Sequence, residues 1–316
     1  MARAKRVKGI HCNAAAAAGA KLVLVTRFEE LCAFREAALN WSDPEGVHSM
    51  RVASRRLRGA VRDFTPYLRK RDLTSIQKQL RSLADALGEV RDQDVAIMAL
   101  EKIAKHAPAE VSTALKEYID TRLEARERAR EELTSVLEKN ALEELATFFT
   151  DGVDHATTSK TESEIAFRKM SQAVILDRLK ELEKLSNSLF DPFEIEALHE
   201  MRIAAKRLRY ALELFQQCWG SSLGTYARRC ARLQAALGEV HDCDVWIESF
   251  TKQIASARKD KHNERVAAFV WLLSHFVKLR SKHLRQAFDR WCAWEAHDAG
   301  AKLRAALRTD GRAGVS

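Results

Sequence analysis

The sequence predicts an all-α protein built from two similar halves, and three observations carry that expectation. The first is composition. Only 12 of 316 residues are Gly and 4 are Pro, against 46% hydrophobic and 31% charged residues, and Ala, Leu, Arg, Glu and Lys are abundant. That mix favours helix and fits a folded globular chain. The second is the lack of any sustained series of short β-branched segments with turn signals between them. The third is an internal repeat. His48-Ser-Met-Arg51 returns as His199-Glu-Met-Arg202, 151 residues later. Leu87-Gly-Glu-Val-Arg91-Asp-Gln-Asp-Val95 returns as Leu237-Gly-Glu-Val-His241-Asp-Cys-Asp-Val245, 150 residues later. Two matched blocks in the same order argue against coincidence. The period is too long for a solenoid unit, so two bundle-like halves sharing an interface are expected.

Along the chain, residues 1–20 read as a basic leader running into the first helix. Its alanine run is weakly apolar and Lys21 interrupts it, which argues against a secretion signal. The halves are expected over residues 21–150 and 162–300, with a connection at 151–161 and a tail at 301–316. The connection is placed there because Thr150 to Thr161 contains Gly152 and several Thr and Ser. Asp43-Pro44 and Asp191-Pro192 read as N-cap plus first-position proline opening the motif helices. Pro66 and Gly220 lie close to their ends. A second helix in each half is expected to end near Gly88 or Gly238. Glu110 to Lys139 reads as one long helix, with a counterpart from about Asn263 to Trp294. No stretch of 18 or more apolar residues exists, so no membrane span is expected.

Helix geometry turns the first motif into a surface. At about 100° per residue, His48, Arg51, Arg55, Arg58 and Arg62 fall within a stripe roughly 80° wide. Met50, Ala53, Leu57, Ala60, Val61 and Phe64 fall opposite and form the expected core face. In the second copy His199, Arg202, Lys206 and Arg209 form the stripe, and Met201, Ala204, Leu208 and Phe215 the core face. Arg56 and Arg207 sit on the shoulder. Glu213 stands where the first copy has Arg62, so the stripes are not equivalent, and the first half is expected to bind more strongly. A charged face is ordinarily just solvated. Such faces, however, usually interleave acids with bases at three- and four-residue spacing, and the stripe of the first copy has none. Each like-charge neighbour pair costs about 0.2–0.5 kcal/mol, so an anionic ligand is expected. Arginine offers a planar fork that pairs two oxygens, lysine adds a point charge, and a histidine beside an anion gains a second donor as it protonates. The formal net charge of +9 points the same way.

These residues resemble a known family. H-x-M-R-[VI]-A-x-[RK]-R-L-R followed by L-G-x-[VI]-[RH]-D-x-D-V, both twice, is similar to the pattern of the CHAD family, the conserved histidine α-helical domain. The resemblance covers nearly the whole chain beyond about residue 20. It implies two helical bundles related by pseudo-twofold symmetry around a central basic cavity, binding of inorganic polyphosphate, and association with polyphosphate granules in bacterial cytoplasm. Carried over position by position, the implied binding set is His48, Arg51, Arg55, Arg56 and Arg58 with His199, Arg202, Lys206, Arg207 and Arg209. Lys78 and Arg228 align with each other, as do Arg130 and Arg285, and these four extend the set. Arg81, Arg229, Arg232, Arg126 and Lys282 are weaker because their equivalents differ, and Gln79 departs from an evenly basic lining. Relatives are often fused to a triphosphate tunnel enzyme of CYTH type. No E-x-E-x-K motif occurs here, so a stand-alone binding module is expected. Polyphosphate-metabolising enzymes are candidate partners, and neither a cofactor nor a membrane partner is expected.

Other chemistries fit less well. His241-Asp242-Cys243-Asp244 suggests a metal-dependent phosphohydrolase, but the first copy has Arg91 at the histidine position, and arginine is not a metal ligand. Asp92, Asp94, Asp242 and Asp244 read as N-cap or ion-pair residues. His199-Glu200 begins like H-E-x-x-H, but Ile203 stands where the second histidine is needed. There is no phosphate-cradling P-loop and no G-x-S-x-G, so no enzymatic activity is expected. Trp271, Trp291 and Trp294 read as core. The six cysteines, none in a C-x-x-C pair, read as small hydrophobic residues of a reduced protein. The alternative function is nucleic-acid binding through the same basic faces, although such sites add stacking aromatics, and Phe64 and Phe215 lie on the core side.

Overall fold

The structure, a computed structural model, describes residues 4–158 and 165–308. The described residues form α-helices joined by short turns, as the composition predicts. In order these are α1 (Ala16–Cys32), α2 (Arg35–Ala38), α3 (Glu45–Phe64), α4 (Lys70–Ala104), α5 (Ala109–Val136), α6 (Lys139–Thr158), α7 (Phe167–Lys184), α8 (Ile195–Trp219), α9 (Ser222–Lys259), α10 (Asn263–Ala296) and α11 (Ala299–Ala306). The chain divides into two compact units. Unit 1 comprises Met1–Ala107 and Lys116–Met170, and unit 2 comprises Pro108–Leu115 and Ser171–Ser316.

In unit 1, α3 packs on α4 and α1, and α6 packs on α4 and α1. The expected core face of α3 is buried throughout, at Met50, Ala53, Leu57, Ala60, Val61 and Phe64. Each large apolar side chain so buried contributes roughly 1.5–3 kcal/mol, which is what orients the opposite, cationic side outward. Phe28 of α1 stacks on Phe149 of α6 with ring centroids 4.2 Å apart. The N-terminal leader is held rather than loose. Val7 is buried, the Lys5 N–H donates to Glu30 Oε1 at 3.0 Å, and Arg27 Nη1 donates to the Lys5 carbonyl at 2.7 Å. The helix that follows it opens at Ala16, inside the span read as leader. Gly19 of that helix lies where a Cβ would come within 2.2 Å of the Phe167 ring, so α1 needs a residue without a side chain there.

In unit 2, α9 packs between α8 and α10, and α11 lies on α9 and α10. Met201, Ala204, Leu208 and Phe215 are buried as expected, and so are Trp291 and Trp294; Trp271 is half-buried beside His275. The order α8–α9–α10 matches α3–α4–α5. Along Leu83–Val95 and Leu233–Val245 the alternation of buried, half-buried and exposed positions is the same residue by residue.

Several local expectations are corrected. The second helix of each half does not end at its glycine: α4 runs through Gly88 and α9 through Gly238. A helix-interior glycine costs about 1 kcal/mol, and the buried Leu83, Leu87 and Val90, with Leu233, Leu237 and Val240, outweigh it. It follows that Asp92, Asp94, Asp242 and Asp244 lie inside helices and are not N-caps. Asp43 does assist the start of α3, accepting the Glu45 N–H at 2.9 Å. Asp191 instead holds a turn, accepting from the Phe193 N–H at 3.2 Å, and α8 opens only at Ile195. The stretch read as a connection is helical through Thr158, because Phe149, Val153 and Ala156 bury one face of α6; residues 159–164 lie outside the described residues. The expected tail begins as α11, anchored by buried Leu303, and residues 309–316 lie outside the description. Cys32, Cys230, Cys243 and Cys292 are free thiols, whereas Cys12 and Cys218 are disulfide-bonded, which corrects the reading of six reduced cysteines.

Candidate anion-binding faces

In unit 1 the outward side of α3 carries His48, Arg51, Arg55 and Arg58, all half-buried. Half-burial matters, because a guanidinium whose stem is packed is pre-positioned and less screened than one swinging in water. Helix α4 adds to this face. Burial first, then the charges of Arg91 on α4 and of Arg55, push the His48 pKa below the ordinary histidine value. Arg51 Nη2 lies 3.4 Å from Asp92 Oδ1. The acid missing from α3 itself is therefore supplied by the neighbouring helix, so part of the like-charge strain expected from the sequence is relieved within the protein. With Asp92 68% exposed, such a pair is worth on the order of 0–1 kcal/mol, weak enough for an anion to displace.

In unit 2 the equivalent face brings together His199, Arg202 and Lys206 of α8 with His241 of α9. Nδ1 of His199 and Nδ1 of His241 are 3.0 Å apart, and the ring centroids are 4.2 Å apart. Arg202 Nη2 lies 3.5 Å from the same His199 nitrogen. Burial first, then Arg202, His199 and Lys206, push the His241 pKa down to about 4. Burial, Arg202 and Lys206 also lower that of His199. Both rings are therefore neutral near pH 7, and the permanent charge of this face comes from Arg202 and Lys206.

Other members of the expected set go elsewhere. Arg56, only 10% exposed, has Nη1 3.5 Å from Glu30 Oε1, and Arg27 Nη1 is 2.6 Å from Glu30 Oε2. Arg56 thus shares an interior carboxylate with Arg27 below α1. Arg207 pairs with Glu181 of α7. Arg209 is 3% exposed, with Nε 3.2 Å from Glu213 and its guanidinium over the Tyr210 ring. The wheel puts Arg209 in the stripe, but the packing of α8 buries it. Arg130 pairs with Glu127 at 3.0 Å and lies 5.1 Å over the Trp41 ring. Lys78, Arg228 and Arg285 are exposed. Lys78 stands thirteen residues before Arg91 on α4, about 20 Å along the helix axis. Among the weaker candidates, Arg81 pairs with Asp85 and Arg126 with Asp94 and Glu127. Arg229 is half-buried, and Arg232 and Lys282 are exposed.

Sequence reasoning passed over Arg91 and His241 as members of these faces. Both stand in the repeated L-G-E-V-[RH]-D-x-D-V block, and the signal was the equivalence itself: a cation answered by a histidine at matching places. The ion-pair reading of the acids is met at Asp92 and Asp94, and at Asp244, which accepts from Arg280 Nε. Among the described residues no group of three or more His, Cys, Asp or Glu is placed to hold a metal ion, and no helix is long and apolar enough to cross a membrane.

Comparison with known proteins places this architecture. The chain is 25% identical over 229 residues to Uncharacterized protein Rv2226 of Mycobacterium tuberculosis; the match takes in 67% of this chain and 41% of that protein, less than half its length. The crystal structure of the CHAD domain from the plant Ricinus communis superposes with a TM-score of 0.66 at 21% identity, covering 97% of this chain and 96% of that one. PptA from Streptomyces chartreusis superposes with a TM-score of 0.64 at 14% identity, covering 88% and 99%. At these identities the structural likeness speaks for the fold. The family model described as CHAD domain matches residues 23–251. With its doubled histidine–arginine helix and its all-helical fold, the chain belongs to the CHAD family.

Proposed function

We propose that the protein binds inorganic polyphosphate through the faces of α3/α4 and α8/α9, acts by binding and not by catalysis, and associates with polyphosphate granules in the cytoplasm. The observation that carries this reading is the gathering of His48, Arg51, Arg55 and Arg91 on one face and His199, Arg202, Lys206 and His241 on the other, each from two helices. Arginine forks suit tetrahedral oxyanions presented in series. The members of both faces are cations and imidazoles without a stacking aromatic, which suits a polymer of phosphates better than one carrying bases. Family membership supports the same ligand class.

The test is binding of long-chain polyphosphate to the full chain and to a variant with Arg51, Arg55, Arg202 and Lys206 all replaced by alanine. Each charge-assisted contact is worth about 1.5–3 kcal/mol, so loss of four should weaken binding by several orders of magnitude and flatten the salt dependence, because fewer counterions are released. A folded variant with unchanged affinity and salt slope would place the site elsewhere.

A further inference from the structure

The His199–His241 pair has a proton inventory that the rest of the site lacks. Two Nδ1 atoms 3.0 Å apart share one hydrogen between them. A guanidinium only donates, and Arg202 Nη2 lies 3.5 Å from Nδ1 of His199, which favours His199 as the acceptor and assigns the proton of neutral His241 to Nδ1 and that of neutral His199 to Nε2. The free lone pair of the pair is Nε2 of His241. One added proton there leaves the hydrogen bond between the rings intact. It turns His241 into an imidazolium, and both Nε2 atoms become donors. The pair gains one positive charge and a second N–H not engaged between the rings in a single step.

We propose that His199 and His241 form a proton-operated phosphate ligand in unit 2, so that anion binding there is coupled to uptake of one proton and tightens as the pH falls. The inference rests on the polyphosphate reading above and adds its regulation. In unit 1 the place of His241 is held by Arg91, charged at every physiological pH, so coupling through a paired imidazole belongs to unit 2.

The surroundings fix the sign. From α8, Arg202 and Lys206 oppose protonation of the pair, while Glu196 and Glu200 act weakly the other way on His199. On α9, Glu239 and Asp242 flank His241 in sequence. Glu239 lies 4.0 Å from His283 of α10, and Asp244 is taken by Arg280 of α10. The turn before α8 carries Asp191, which accepts from the Phe193 N–H, and Glu194. The free pair is therefore neutral at physiological pH. A phosphate oxygen neutralises the field of Arg202 and Lys206 and favours the charged ring. The complex then holds more protons than the free protein, and affinity climbs as pH falls through the raised pKa of the complex, by about tenfold per pH unit for one proton. The rise levels off below the pKa of the free pair.

The experiment uses the full chain with Arg51→Ala and Arg55→Ala, which leaves unit 2 as the dominant face, and compares it with the same protein carrying His241→Arg or His241→Gln in addition. Long-chain polyphosphate is the probe, because its internal phosphates are strongly acidic and keep a constant charge where histidine titrates. Calorimetry in two buffers of different ionisation enthalpy counts protons. The His241 protein should take up close to one proton more than either variant and show the steeper pH profile. His241→Arg should bind more tightly at about pH 8, and His241→Gln should be flat without that gain. Equal slopes and proton counts in all three would overturn the proposal. Binding of polyphosphate by none of them, when the unmutated chain also fails to bind, would instead overturn the ligand reading on which the proposal rests.

Discussion

A cation is available to a ligand only if no carboxylate holds it in the interior, and residues two apart on one helix differ in that respect. Arg58 and Arg56 are such a pair: one half-buried on the outward face, the other buried against Glu30. Replacing Glu30 with alanine would remove the carboxylate that Arg27 and Arg56 share and should cost about 3–5 kcal/mol in urea denaturation; a loss under about 1 kcal/mol would show the sharing to be incidental. Arg56→Ala should lower stability and leave polyphosphate affinity of the folded protein nearly unchanged, whereas Arg51→Ala should do the reverse. The glycines divide in the same way. Gly88 and Gly238 would meet nothing within 4 Å if given a Cβ, so Gly88→Ala should stabilise by about 0.5–1 kcal/mol, while Gly19→Ala should destabilise because of Phe167. Acid titration adds a further check. The depressed pKa of His241 means that its contribution to stability is present above the unfolded value near 6.5 and is lost as pH falls toward about 4. The melting temperature of the free protein should drop over that window, and polyphosphate should restore it. At this scale the sequence disclosed which residue types belong to the site but not their neighbours. The helical wheel places Arg58 and Arg209 alike, and only the presence of Glu213 and the packing of Tyr210 separates them.

At the scale of elements, the core faces of α3 and α8 were legible, since the residues placed opposite each stripe are buried, although α8 also buries Arg209 from within its stripe. Leu57→Ala and Leu208→Ala, both at fully buried positions, should each cost about 2–5 kcal/mol; equal denaturation midpoints would contradict the packing. Helix ends were less legible. Gly88 and Gly238 signal breaks by propensity, yet the leucines and valines on either side bury enough area to carry α4 and α9 straight through. The Thr- and Gly-containing end of α6 was misread for the same reason, since its buried Phe149, Val153 and Ala156 recur at helical spacing. Continuity of α4 and α9 has a functional consequence. It keeps Arg91 and His241 on a rigid frame beside His48 and His199, which a helix ending three residues earlier would not do.

For the molecule as a whole, the doubled motif makes the two faces comparable and the substitutions between them make them unequal. Unit 1 presents Arg51, Arg55 and Arg91 where unit 2 presents Arg202, Lys206 and a neutral histidine. At about pH 8, Arg51→Ala with Arg55→Ala should therefore weaken polyphosphate binding more than Arg202→Ala with Lys206→Ala, and the gap should narrow on acidification. The measurement that bears most directly on the central claim is competition at physiological salt between long-chain polyphosphate, single-stranded RNA and duplex DNA for the unmutated chain. Polyphosphate should displace both nucleic acids at lower phosphate concentration, with a steep loss of affinity on adding salt. Equal or tighter binding of either nucleic acid would contradict it.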